Sequence, residues 1–199
     1  MKTVLLAGQK QFGMAVADLV QALSRWSVVA VSSPVGGAKP DALTTWATSR
    51  SLPIIPSGGL TAASILAACP DGIDLVITAH CHDFIRREVR EMPRIGCLGY
   101  HPSLLPLWRG KTAIECQIAA GDRVTGGTVY WLDSVFDGGP VAAQRHALVP
   151  HDSTPASLWR DVLQPLGVHL FAEVLIDLDG GFRPSAPQAH HLATYCKSA

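Results

Sequence analysis

The chain has 199 residues, 48% of them hydrophobic and 16% charged, which excludes a disordered chain and suits one ordinary domain that needs no disulfide or metal to fold. Sixteen Lys+Arg balance sixteen Asp+Glu; such a neutral chain has no basic field for a phosphate backbone, so nucleic-acid binding is not expected. The five cysteines, Cys69, Cys81, Cys97, Cys116 and Cys196, contain no CxxC pair, so neither a disulfide framework nor a zinc ribbon is expected, and a reducing compartment fits.

The first apolar run, Val4-Leu5-Leu6-Ala7, is too short for a signal peptide, and no stretch reaches the roughly 20 apolar residues of a membrane helix. A soluble, cytoplasmic protein with no membrane partner is expected. Thr3–Ala7 reads as a buried strand ending at Gly8. Phe12, Val16, Leu19, Val20 and Leu23 follow at helical spacing. Val28–Val31 is a second strand, running into a Ser/Pro/Gly loop at 32–40. A helix over Asp41–Ser51 takes Asp41 as cap. Ile54-Ile55 is a very short strand, and Thr61 caps a helix over Ala62–Ala68 that Pro70-Asp71-Gly72 stops. Strands are expected at Asp74–Ala79 and Ile95–Tyr100, with a short helix at Arg86–Met92 between them. This alternation argues for a parallel sheet with helices on both faces.

The second half changes pattern. Lys111–Ala120 reads as a helix ended by Gly121. Strands at Thr128–Leu132 and Pro140–Leu148 are separated by only seven residues, which suits an antiparallel hairpin. Pro155 sits well at a helix start behind Ser153 and Thr154, and Pro165 should kink or split the helix continuing to Leu178. After Gly180-Gly181 comes a polar tail, 183–199, in which His190-His191 is expected to be solvated.

Open parallel sheets bind ligands beyond the carboxyl ends of their strands. The first such end, Gly8-Gln9-Lys10-Gln11-Phe12-Gly13, is neither GxGxxG nor a GxxxxGK[ST] loop, which argues against a dinucleotide or P-loop site. The richer segment is Tyr100-His101-Pro102-Ser103-Leu104-Leu105-Pro106-Leu107-Trp108-Arg109-Gly110. It places a histidine at a strand end, on a loop that two prolines stiffen. Asp137 lies in a second loop, followed by Gly138-Gly139, where missing side chains would let a substrate near the backbone. An acid and a histidine from separate loops can handle protons together; equally, Asp137 can serve only an Asx turn before Gly138. His80-Cys81-His82 has no further ligand at a useful spacing, so no metal site is expected. Trp108, Trp131 and Trp159 read as packing residues.

HPSLLPxxRG followed by TGGTVYWLDxxxDGGP is very similar to the folate-dependent formyltransferase family. The resemblance spans nearly the whole chain. It implies a Rossmann-like α/β fold, a mostly parallel sheet with helices on both faces and an antiparallel C-terminal hairpin, in one catalytic domain. It implies that His101 and Asp137 are catalytic and that 10-formyltetrahydrofolate is the formyl donor. By the same resemblance, the pterin lies at the loops carrying Cys81, Asp83, Phe84 and Ile85 and carrying Ser134 and Val135. Arg86, Arg87 and Arg90 could meet the folate tail, and Leu105-Pro106 would be cis as in relatives. The family's Asn two positions before the histidine is Gly99 here. That departure removes a donor to a developing oxyanion, typically about 2.7–4 kcal/mol of transition-state stabilisation. It is shared with the hydrolase domain of 10-formyltetrahydrofolate dehydrogenase, which this chain resembles in motif detail. The expected activity is formyl transfer to a small amine; hydrolysis to formate and tetrahydrofolate, or folate binding with little turnover, are the alternatives. The low charge content permits a homodimer.

Overall fold

The computed structural model describes residues 1–196; of the polar tail, 197–199 lie outside the described residues. The chain divides into two compact units, Met1–Gly99 and Tyr100–Ala199.

In the first unit, β1 (Lys2–Gly8), β2 (Trp26–Ser33), β3 (Ile54–Pro56), β4 (Leu75–Ala79) and β5 (Gly96–His101), which runs on into the second unit, lie in the order β3-β2-β1-β4-β5. All four neighbouring pairs are parallel. The central strand β1 is an unbroken apolar run, with Val4, Leu5, Leu6 and Ala7 all buried, as a strand covered on both faces requires. The connections carry α1 (Lys10–Ala22), α2 (Ala42–Thr48), α3 (Ala62–Ala68) and the single turn α4 (Arg87–Arg90). α1 buries Phe12, Val16 and Val20 on one stripe. The two expected caps are present: Asp41 accepts from the Leu43 N–H at 2.9 Å, and Thr61 forms a capping box with Ser64. The helices are shorter than periodicity suggested because Ser49 and Glu91 already close their last turns.

Asp74 ties the start of β4 to β1. Its Oδ2 accepts from the Thr3 N–H at 2.8 Å, and Oδ1 meets Arg94 at 3.1 Å. Burial alone would raise its pKa, but the Thr3 and Arg94 hydrogen bonds outweigh it and hold the carboxyl below its ordinary value. A depressed folded-state pKa contributes stability above the unfolded value near 4 and loses it as pH falls through the folded pKa. Asp74→Asn should therefore lower Tm at pH 7, and the gap to wild type should narrow as pH falls through the depressed folded-state pKa. Thermal melts across pH 2–7 check this; a gap independent of pH would contradict it.

The second unit is built on an antiparallel pair, β6 (Val124–Trp131) and β7 (Val141–Leu148). α5 (Ala113–Ala120) ends at Gly121 in the left-handed region, φ 71°. Pro165 does not split the last helix. Instead α6 (Pro155–Leu158) widens into a π-turn over Trp159–Leu163 before α7 (Gln164–Asp179), so that Pro165, which has no N–H to donate, falls in the first turn of α7. Gly127 makes room for the Tyr100 ring, whose hydroxyl donates to the Leu163 carbonyl at 2.6 Å.

The tail is not a solvated appendage. Ala186 bridges Val141, and Tyr195 bridges Arg109. Trp131 Nε1 donates to the Pro184 carbonyl at 2.7 Å. His190 is exposed, yet its Nδ1 lies 3.1 Å from Arg109 Nη2. The strap ends in a Cys116–Cys196 disulfide with Cα atoms 5.9 Å apart, correcting the expectation of no disulfide; the path of the strap, not cysteine spacing, makes the pair. Cys69, Cys81 and Cys97 are free. A cross-link with a sequence separation of 80 removes up to about 4 kcal/mol of unfolded-chain entropy. Reduction should lower Tm by several degrees; identical melts with and without reductant would contradict the pairing.

Candidate functional site

The HPSLLP loop is held from several directions within the second unit. Thr128 Oγ1 on β6 donates to the Ser103 carbonyl at 2.7 Å and accepts from the Leu105 N–H at 3.2 Å. Gln117 Nε2 donates to the Pro102 carbonyl at 2.9 Å, and Ser103 Oγ to the Leu107 carbonyl at 2.6 Å. The Leu105-Pro106 bond is cis, as the resemblance implied. These ties fix His101, which is 6% exposed at the end of β5.

His101 Nε2 lies 2.7 Å from the Trp108 carbonyl oxygen. A carbonyl only accepts, so Nε2 carries the hydrogen and the neutral ring leaves Nδ1 bare. Nδ1 faces Asp137 Oδ2 at 3.7 Å. A proton taken at Nδ1 would point at a carboxylate, the arrangement of a proton-handling pair.

Asp137 is 8% exposed. Its Oδ2 accepts from the Gly110 N–H at 2.9 Å and its Oδ1 from the Tyr130 hydroxyl at 2.7 Å. The Asx-turn alternative is thereby set aside, since neither oxygen caps its own loop; Asp133 does that, accepting from the Val135 N–H at 2.7 Å. Burial, followed by the neighbouring Asp137 carboxylate, pushes the Tyr130 hydroxyl well above its ordinary pKa, so it remains a donor at all working pH. Asp137 and Trp108 sit at φ 50° and 57°, in the left-handed region that non-glycine residues enter at some cost. The glycines after Asp137 serve packing more than substrate access. A Cβ at Gly138 would overlap the Val135 side chain, and one at Gly139 the Trp131 carbonyl.

Sequence reasoning singled out His101 and Asp137, which the structure brings within 3.7 Å, and did not point to Tyr130 as a partner of the acid. It also missed Arg109 and Gln188, which meet at 2.6 Å behind the Asp137 loop. Trp108 and Trp131, read as packing residues, also donate from their indole nitrogens, Trp108 to Asp122 at 2.8 Å.

The expected folate residues fall in two loops, one in each unit. In the first unit, the loop after β4 buries Ile85 and leaves Phe84 68% exposed. Asp83 there accepts from the Gly58 N–H at 2.6 Å, and Arg90 donates to the Ile85 carbonyl at 2.7 Å. Burial pushes the Cys81 thiol up to about 11, so it is neutral and not a nucleophile at pH 7. Burial, then Lys10 and His82, lower His80 to about 4. In the second unit, Ser134 and Val135 are exposed at the tip of the Asp137 loop. Each loop exposes an apolar side chain, Phe84 in one and Val135 in the other, the kind of surface a flat ring system packs against. Among the described residues, no group of three or more His, Cys, Asp or Glu could hold a metal ion. No helix of the described residues is long and apolar enough to cross a membrane.

Comparison with known proteins bears on these loops. Residues 62–175 match the family model described as Formyl transferase. A methionyl-tRNA formyltransferase from Carboxydothermus hydrogenoformans is 37% identical over 131 residues, 66% of this chain and 41% of that protein. The mitochondrial 10-formyltetrahydrofolate dehydrogenase of Mus musculus is 36% identical over 124 residues, 62% of this chain and 13% of the relative. The chain thus spans less than half the length of these curated relatives. A crystal structure of phosphoribosylglycinamide formyltransferase from Bacillus halodurans has a TM-score of 0.76 at 22% identity, covering 89% of this chain and 95% of that one. That likeness shows the fold: a mostly parallel sheet with an antiparallel C-terminal pair.

Proposed function

Because the chain belongs to the formyl transferase family, we propose that it takes the formyl group from 10-formyltetrahydrofolate and passes it to a small amine, with His101 and Asp137 as the catalytic pair. The observation that carries this reading is the buried His101–Asp137 contact on two immobilised loops. The folate itself is supported by the relative named for 10-formyltetrahydrofolate; the loop of Cys81, Asp83, Phe84 and Ile85 and the loop of Ser134 and Val135 would meet it, with Phe84, Ser134 and Val135 the exposed members.

In the reaction, the acceptor nitrogen attacks the formyl carbon and its carbonyl becomes a tetrahedral oxyanion. The attacking amine gives up a proton to Asp137, directly or through water, and N10 must be protonated as its bond to carbon breaks. His101, protonated at Nδ1 beside the Asp137 carboxylate, supplies the positive charge that the oxyanion needs, and its Nδ1 proton passes, directly or through water, to N10. No side chain at Gly99 shares that task, so His101 carries more of it.

Hydrolysis is the second reading, favoured by Gly99 and by the similarity to the dehydrogenase. Water then replaces the amine, and the products are formate and tetrahydrofolate. The two are separated by following tetrahydrofolate and formate together, with and without a panel of primary-amine metabolites. Tetrahydrofolate released only with an amine, and no formate, supports transfer; equal release of both without amine supports hydrolysis. No release under either condition would overturn both.

A further inference from the structure

We propose that Gln188, on the C-terminal strap, is a positioning residue that holds Asp137 in its working geometry; this rests on reading Asp137 as catalytic. Gln188 is 7% exposed and its amide is fully used. Nε2 donates to the Asp137 carbonyl at 3.0 Å and to the Gly139 carbonyl at 2.7 Å. Oε1 accepts from Arg109 Nη2 at 2.6 Å. One side chain thus joins three segments: the end of the HPSLLP loop, the Asp137 loop and the strap.

The Asp137 loop needs such a hold. Asp137 has φ 50°; the loop around it is closed by the Gly138 N–H on the Val135 carbonyl at 3.0 Å, the Asp133 cap on the Val135 N–H and, at its base, the Trp131 N–H on the Pro140 carbonyl. Gln188 fixes the carbonyls on either side of Gly138, and with them the direction in which the Asp137 side chain leaves the backbone. Arg109 strengthens the hold. It is 1% exposed, and its guanidinium meets Gln188, the Tyr195 hydroxyl at 3.2 Å and His190 Nδ1 at 3.1 Å. A buried cation on Oε1 polarises the amide and makes both Nε2 hydrogens better donors. The strap is fastened around this point, since the Arg109 N–H donates to the Thr194 carbonyl at 2.9 Å and Cys196 is cross-linked to Cys116.

Two variants separate positioning from simple support of the fold. Gln188→Leu keeps the approximate shape and removes all three hydrogen bonds. Gln188→Glu keeps, as a charged pair, the bond to Arg109 but turns an oxygen toward two carbonyl oxygens. The second should therefore stay folded while losing the hold on the loop. The Gly110 amide donates to Asp137 Oδ2, so its NMR shift and hydrogen exchange report the carboxylate's place without any turnover. Both variants should move the Gly110 resonance and speed its exchange. Both should lower kcat for 10-formyltetrahydrofolate by about a hundredfold, the cost of an ångström-scale misplacement, with KM within about threefold. Gln188→Glu should do so while still folding, with a smaller loss of Tm than Gln188→Leu because the bond to Arg109 is kept. An unmoved Gly110 resonance in the folded Gln188→Glu protein overturns the proposal, as does wild-type kcat in that variant. If the wild-type protein itself turns over no folate, the functional reading falls and the Gly110 amide alone decides the role of Gln188.

Discussion

Asp137→Asn is expected to lower kcat by about a thousandfold, within the range that a positioned acid or base supplies, while folate affinity stays within about threefold. The reason lies in the two donors that the carboxylate accepts. Tyr130 donates to Oδ1 and the Gly110 N–H to Oδ2. An asparagine has one oxygen and one NH2; with its oxygen kept on the donor-only Gly110 N–H, its NH2 meets the Tyr130 hydroxyl, which must then reverse from donor to acceptor. It also carries no charge to hold a proton on His101 Nδ1, 3.7 Å away. Both defects act on the reacting groups; Ser134 and Val135, on the same loop and expected at the pterin, keep the Asp133 cap on the Val135 N–H. Steady-state kinetics with a binding titration check the split. A kcat within tenfold of wild type would remove Asp137 from the reaction. His101→Ala should behave alike, and the double variant should be little worse than either single one, because residues acting as a unit are not additive.

Gly139→Ala should be the most damaging small substitution in the same loop. Its Cβ would overlap the Trp131 carbonyl oxygen, with the Asp133 carboxyl carbon at 3.3 Å. Backbone must move to admit it, and Trp131 is the last residue of β6. Overpacking of this kind costs about 3 kcal/mol, and a chain of this size loses roughly 2–4 °C of Tm per kcal/mol, so Tm should fall by about 10 °C. Gly180→Ala is the control. Its nearest neighbour to a new Cβ is the Asp177 carbonyl at 3.4 Å, an ordinary contact, and Tm should barely change. Differential scanning calorimetry of the pair tests this; equal melts for Gly139→Ala and wild type would show that the loop is not packed as described.

Much of this was readable from the residues. The apolar runs became β1, β4 and β5, and the caps at Asp41 and Thr61 formed, because short-range chemistry decides them. His101 and Asp137 stood out because each sits in a long motif at an element end. Their surroundings were not readable, for definite reasons. Every residue of β6 after Val124 is buried, so strand alternation gives no sign that Tyr130 aims at a carboxylate. Gln188 has no motif and lies far along the chain from Asp137; only the path of the strap brings them together. The same path pairs Cys116 with Cys196 and draws His190 onto Arg109. The two glycines after Asp137 read as an opening for substrate, yet each turned out to be filled by its own loop, a close approach that one-dimensional spacing does not encode.

The central claim is that the formyl group leaves N10 at the His101–Asp137 pair. The most direct test is NMR of the full chain with 10-formyltetrahydrofolate carrying carbon-13 in its formyl group, with and without an amine panel. The account predicts that the labelled signal moves to a formamide or to formate at a rate that His101→Ala abolishes. A signal that stays on N10 under every condition, or one that moves equally fast in the His101→Ala protein, would contradict it.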